Sequence, residues 1–447
     1  MSRALAVVSL LSASSALAAA PGHVATKTLV PTPGGFSCGH DHRSALDASG
    51  DIVVAHKTDL LAREIRAHFA DRELVRASVN PARGGFDVQF NLDPDVASDP
   101  AFVAALELAA DVWEARITDN VTIIIDVGFV SNVSYIGAAS SNRFNIDYDE
   151  FRALAVADAG AAESTLVAAL PDPVLDAETS DGFTSTDDFS FDGIEVTTAN
   201  ARSLGIPVDT SGDFADASIV FNTDFDFDND PTDGLTEGFV DTVYVMTHEI
   251  GHMLGFISST DGFSFGDFLT SLDTFRVGID GVSNDPANLA DFSSVARETR
   301  RGVEAALDQV NAVPGAPLDT VYRFSTGSFG GDGRQASHWK DDDLLGITPN
   351  IGVMDPTTSS PNGPGQGANP GYLTYADLLA FSVIGWDINL DPAPCAGDLN
   401  ADNAVDSGDL AALLAAWSTS GPGDFDMSGT VDAGDLAILL ATWGDCE

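Results

Sequence analysis

The sequence predicts an α+β domain, a twisted mixed sheet with one buried helix, followed by a small α-helical domain at the C-terminus. Three observations predict it. Alternating or β-branched runs at 86–90, 121–127 and 217–222 interleave with a helical apolar period over 102–117. An apolar stretch ending at Leu254 contains His248-Glu249-Ile250-Gly251-His252. An acidic pattern beginning at Asp398 repeats 26 residues later. The 447 residues allow two or three domains.

Composition narrows the class. Hydrophobic residues make up 44% of the chain, enough to bury a core. Against 68 acidic residues stand 20 Lys and Arg, a net charge of −48 that argues against nucleic-acid or anionic-membrane partners and favours cations. With three cysteines the chain is no disulfide scaffold. Residues 1–20 read as a signal peptide. Arg3 precedes an apolar run from Ala4 to Leu17, and Ala16-Leu17-Ala18 and Ala18-Ala19-Ala20 are small-x-small cleavage candidates. Export is the expectation, and no later run reaches membrane-spanning length.

From residue 86 the elements follow in order. Phe86-Asp87-Val88-Gln89-Phe90 alternates as a strand. The helix over 102–117 is expected to bury Ala105, Leu108, Ala109, Val112 and Trp113. Residues 121–127 and 217–222 are strands. In the next helix, His248 and His252 at i and i+4 share one face and can reach one metal ion. Glu249 is then placed to act as general base on a water at that ion. Of eight histidines, five precede residue 69, and after residue 86 only His248, His252 and His338 remain. A catalytic zinc takes three protein ligands and keeps one position open, so His338 in Ser337-His338-Trp339-Lys340 is the expected third ligand. Asp261 and Asp267 are its rivals, and no Glu lies between Glu249 and Glu298.

These residues resemble the metzincin zinc peptidases, whose motif runs His-Glu-x-x-His-x-x-Gly-x-x-His. Gly255 stands at the glycine, where the chain turns sharply beneath the metal, but Ser258 stands at the third-ligand place. The leishmanolysin branch departs in the same way. There a long insertion follows the glycine, and the third His comes far downstream, before Trp and a Met-turn. In this chain about eighty residues separate Gly255 from Ser337-His338-Trp339, and Gly352-Val353-Met354-Asp355-Pro356 follows. The resemblance implies a metzincin-like catalytic domain over 86–388, closest at 217–257 and 335–357, and nearer to a secreted bacterial relative than to disulfide-rich leishmanolysin. It implies one catalytic Zn2+ on His248, His252 and His338, Glu249 as general base, Met354 as the floor beneath the metal, and a protein or peptide substrate. Tyr372 or Tyr375 is either a further oxyanion donor or a packed aromatic.

Two other signals belong to this part of the chain. Residues 21–85 occupy the place of an inhibitory pro-segment and include an amphipathic helix over 60–69. Cys38 within them is either a thiolate that blocks the metal's open position or an incidental free thiol. The acidic stretch Asp224, Asp226, Asp228, Asn229, Asp230, Asp233 reads equally as a calcium site or, with Phe225 and Phe227, as a strand with one buried face.

The C-terminal pattern is Asp398, Asn400, Asp402, Ala404, Asp406 and Asp409, then Asp424, Asp426, Ser428, Thr430, Asp432 and Asp435. Oxygen side chains at positions 1, 3, 5, 9 and 12 and a backbone carbonyl at 7 form a calcium cage. Each loop precedes an apolar helix face: Leu410, Leu413, Leu414 and Trp417, then Leu436, Leu439, Leu440 and Trp443. The tail over 395–447 resembles a type I dockerin, which implies two Ca2+ ions and a cohesin-like partner. Cys395 and Cys446 bracket it as a disulfide candidate in an exported protein, and residues 389–394 form the linker. The expected function is a secreted zinc endopeptidase with a calcium-binding tail. The alternative is a non-catalytic, calcium-dependent binding or scaffold protein with a structural zinc site.

Overall fold

The computed structural model describes residues within 65–78, 85–170, 183–184, 193–260, 268–279, 292–307, 322–345, 351–356, 373–389 and 399–445, with short gaps inside several of these stretches. The expected signal peptide, Cys38, Asp233, Asp261, Asp267, Tyr372, Cys395 and Cys446 lie outside the described residues, as do Asp398, Asn400, Asp402, Asp424, Asp426, Ser428, Thr430 and Asp432.

The main elements are β1 (Val75–Ser78), β2 (Asp87–Leu92), α1 (Pro100–Glu114), β3 (Thr122–Val130), β4 (Gly137–Ser141), β5 (Ala217–Asn222), α2 (Thr242–Leu254) and α3 (Tyr375–Val383). They build a mixed α/β fold with no closed barrel, on a five-stranded sheet ordered β1-β2-β3-β5-β4. The three central strands are parallel and the two edges antiparallel. The parallel step from β2 to β3 needs a crossover, which α1 supplies. Val88, Phe90 and Leu92 of β2 pair with Ile123, Ile125 and Val127 of β3, and all six are buried, so the period-two pattern lands on the core face.

Asp99 caps α1 by accepting from the N–H groups of Ala101 and Phe102, with Pro100 at the first helical position. Its fully buried stripe is Phe102, Ala105, Leu106, Ala109, Ala110 and Trp113. The expected face is therefore rotated: Leu108 and Val112 are only partly buried. Both registers are apolar in the sequence, and packing against α2 and the sheet selects between them.

Helix α2 is buried on every side. Asp241 caps its start, and Gly255 ends it at φ +118°. Trp113 Nε1 donates to the Thr247 carbonyl and Trp386 Nε1 to the Leu254 carbonyl, so two flanking indoles fix the helix.

Hydrogen bonds are made on both sides of residues 86 and 388. At the N-terminal side, β1 extends the sheet through β2. Residues 65 and 67–69 are helical, and Ile65 and Phe69 pack on Ala138 and Val220. His68 Nε2 lies 2.9 Å from Asp93 Oδ2. At the other end, Asn389 N donates to the Arg116 carbonyl and Asp387 N to Asp119 Oδ2.

Between α2 and His338, Arg276–Gly278, Ala305–Leu307 and Tyr322–Arg323 form a three-stranded antiparallel sheet. In the C-terminal part, helices Ser407–Ala415 and Ala433–Ala441 share a core of Val405, Leu413, Val431 and Leu439. Of the two apolar helix faces, Leu414, Trp417, Leu440 and Trp443 are exposed. No described helix is long and apolar enough to cross a membrane.

Candidate metal centre

The structure brings His248, His252 and His338 together, with one ring nitrogen of each within 4.8 Å of the others. Among the described residues this is the one group of His, Cys, Asp or Glu side chains so disposed. The ring centroids are 4.7, 5.2 and 4.9 Å apart. Two ligands come from α2, where the i, i+4 spacing places them on one face. The third comes from the segment that follows the insertion.

Each imidazole is oriented by a backbone carbonyl on its outer nitrogen. His248 Nδ1 donates to the Val353 carbonyl at 2.7 Å, His252 Nδ1 to that of Phe256 at 2.7 Å, and His338 Nδ1 to that of Gln335 at 3.2 Å. A carbonyl only accepts, so the hydrogen sits on Nδ1 and the lone pair on Nε2. The Nε2 atoms of His248 and His252 then face each other at 3.0 Å. Two facing lone pairs repel unless a cation lies between them. Two nitrogens on one tetrahedral zinc stand about 3.3 Å apart. The donor set thus fits a metal ion on its own chemistry.

The structure joins the segment of Ser258 to that of His338. Ser258 N donates to Ser337 Oγ at 2.9 Å, so the insertion leaves and returns at one point and delivers the next residue, His338, to the site. Asp273 holds this junction by accepting from Ser258 Oγ, Ser259 N, Thr270 N and Thr270 Oγ1. The His338 segment is paired on both sides: Ser325 N donates to the His338 carbonyl, and Trp339 N to that of Met354.

Met354 is fully buried against Gly251 of α2, where any Cβ would overlap its Sδ atom. It therefore packs directly beneath the helix turn that carries both motif histidines. Glu249 is also fully buried, next to His248. Tyr375 packs in the main core, its hydroxyl making no hydrogen bond among the described residues, and burial pushes its pKa up.

The acidic stretch at 224–230 leaves a turn and enters a short strand, Phe227–Asp228, which pairs in parallel with Val240–Asp241. Phe225 and Phe227 pack on the core, which favours the reading as a strand with a buried face. Asp224 Oδ2 accepts from Asn132 N, and Asp228 accepts from Asp230 N and Thr236 N. Burial opposes the Asp228 charge, but these donors outweigh it and lower its pKa. Of the calcium-loop residues, Ala404, Asp406, Asp409 and Asp435 are described. Asp406 and Asp409 form a capping box on Ser407–Ala415, and Asp409 and Asp435 are both buried.

Sequence reasoning missed Asp377. Its fully buried carboxylate accepts from Trp339, Val353 and Thr374. Burial pushes its pKa up, against the pull of these donors. Thr374-x-x-Asp377 before an apolar run is a capping-box signal that was legible. The orienting carbonyls of Val353, Phe256 and Gln335 carry no such signal.

No family model matches the chain, and neither a curated protein nor a solved structure matches it significantly.

Proposed function

We propose that the chain is a secreted zinc endopeptidase of metzincin type with a dockerin-like, calcium-binding tail. The observation that carries this reading is the convergence of three anchored imidazoles on one point, two of them on a helix that also carries Glu249. A set of three neutral nitrogens suits zinc among the common metals. His248, His252 and His338 hold the ion. Bound zinc supplies Lewis acidity, bringing the pKa of water toward neutrality and polarising a peptide carbonyl. Glu249 takes the proton of the attacking water and returns it to the departing amine. Gly255 turns the chain so that the Phe256 carbonyl reaches His252, and Met354 floors the site.

The tail reading is supported by repeat symmetry in its core. Val405 and Val431 are equivalent positions, as are Leu413 and Leu439, and so are the buried position-12 residues Asp409 and Asp435. A calcium titration followed by circular dichroism tests it: no gain of structure or stability rejects two calcium loops.

Casein digestion tests the enzyme. The wild type should cleave, lose activity to a chelator and regain it with zinc, while Glu249→Ala should lose about 100-fold to 10,000-fold in rate with metal still bound. Equal cleavage by Glu249→Ala rejects the mechanism. The second reading, a structural zinc site in a binding protein, is favoured by one observation: His248, Glu249, His252 and His338 are each at most 5% exposed. Stoichiometric zinc without turnover, after trial proteolysis of the N-terminal segment, would select it.

A further inference from the structure

Asp377 lies outside the zinc-peptidase motif, yet it joins the segment that bears His338 to the turn whose Val353 carbonyl orients His248. We propose that Asp377 is a positioning residue of the metal centre, holding His248 and His338 in register through Val353 and Trp339. The proposal rests on reading the histidine triad as a metal site.

Asp377 Oδ1 accepts from Trp339 Nε1 at 2.8 Å. Asp377 Oδ2 accepts from Val353 N at 2.8 Å, Thr374 N at 2.9 Å and Thr374 Oγ1 at 3.0 Å. Val353 offers its carbonyl to His248 Nδ1, so one peptide unit separates the carboxylate from the first ligand's orienting bond. Trp339 follows His338 in the chain, and its own N–H donates to the Met354 carbonyl. The carboxylate thus spans the third ligand's strand, the turn below the helix and the start of α3. Gly352 permits this approach, because a Cβ there would overlap the Asp377 carboxylate.

Helix capping does not account for the arrangement. The reciprocal bonds with Thr374 are the capping box, and they need only one oxygen at the helix end. The bonds to Trp339 and Val353 go to other segments of the chain and have no capping role. A capping carboxylate is also cheapest at the surface, whereas Asp377 is fully buried among neutral donors. Its location is explained by what it joins. Residues that orient metal ligands typically change metal affinity about 10-fold to 100-fold when lost.

The test uses the full-length protein with Asp377→Asn and Trp339→Phe. The first replaces an accepting oxygen by a donor that faces an N–H. The second removes one N–H and keeps a ring in place. Zinc dissociation constants are measured by chelator competition, folding by circular dichroism, and ligand geometry by the visible spectrum of the cobalt-substituted protein. Both variants should bind zinc about 10-fold to 100-fold more weakly and shift the cobalt bands. A merely structural role would lower the melting temperature and leave the affinity and spectrum of the folded protein unchanged. If Asp377→Asn does not fold, Trp339→Phe decides, and wild-type affinity and spectrum in folded Trp339→Phe overturn the proposal. A wild type that binds no metal overturns the metal-site reading, and this proposal with it. A wild type that binds metal alongside equally tight variants overturns only the role of Asp377.

Discussion

Gly255→Ala should destabilise the fold through both backbone strain and overpacking. Gly255 has φ +118°, where an L side chain is strained by about 1–2 kcal/mol or more. A Cβ there would lie 3.1 Å from Ile384 Cδ1 and 3.2 Å from Asn200 Cβ. Asn200 cannot readily give way, because its Nδ2 donates to the Ile384 carbonyl and its Oδ1 accepts from Ser271 Oγ. Overpacking a well-filled core adds about 1–3 kcal/mol. The total, about 2–5 kcal/mol, is a large part of the stability of an ordinary domain. Gly205→Ala is the control: φ is +74°, with no atom within 4 Å of its Cβ position, so only the backbone cost of about 1–2 kcal/mol applies. Urea unfolding followed by tryptophan fluorescence gives both values. Gly255 also precedes Phe256, whose carbonyl orients His252, so Gly255→Ala should weaken metal binding by chelator competition while Gly205→Ala should not. Equal destabilisation by the two substitutions, with unchanged metal affinity in both, would refute this prediction.

Two further predictions concern the limits of the fold. Asp119 has its pKa raised to about 6, first by burial, with the Asp387 charge adding to the rise and the Asp387 N–H opposing it. A raised carboxyl favours the folded state below its unfolded pKa, and that contribution fades as pH rises through about 6. Asp119→Asn should therefore match the wild type near pH 4 and melt higher than it near pH 7.5. A constant difference across that range in melting scans would exclude Asp119 as the titrating group. Deleting residues 1–85 removes β1 from the sheet and Ile65 and Phe69 from Ala138 and Val220. At about 1.5–3 kcal/mol for each buried side chain, the loss is about 3–6 kcal/mol. The urea midpoint should fall accordingly. A stable protein starting at residue 86 would contradict this.

Much of this architecture was legible in the sequence, for identifiable reasons. Residues 217–222 form the expected strand, and the neighbouring strands shift by a few residues, because β-branched runs bounded by turns leave few alternatives. The α1 face was misread because its apolar residues cover a wide arc. Ala105, Leu106, Leu108, Ala109, Ala110 and Val112 satisfy two helical registers, and only the packing partner separates them. His338 was found by counting imidazoles over the whole chain, since no local pattern connects it to α2. The groups that aim the histidines escaped because three of them are backbone carbonyls, which every residue type supplies.

The insertion shows how such a distant ligand is tolerable. Ser258 and Ser337 are 79 positions apart and in hydrogen-bond contact. Loop-closure entropy grows only with the logarithm of length, so this detour costs about 2 kcal/mol more than a ten-residue loop. The junction makes its own return on that cost through Ser258 N to Ser337 Oγ, Ser325 N to the His338 carbonyl and Trp339 N to the Met354 carbonyl. At about 1 kcal/mol each, three such bonds offset the closure. What the site demands of the insertion is therefore not brevity but fixed ends, and both ends are held by buried carboxylates: Asp273 at Ser258, and Asp377 at Trp339.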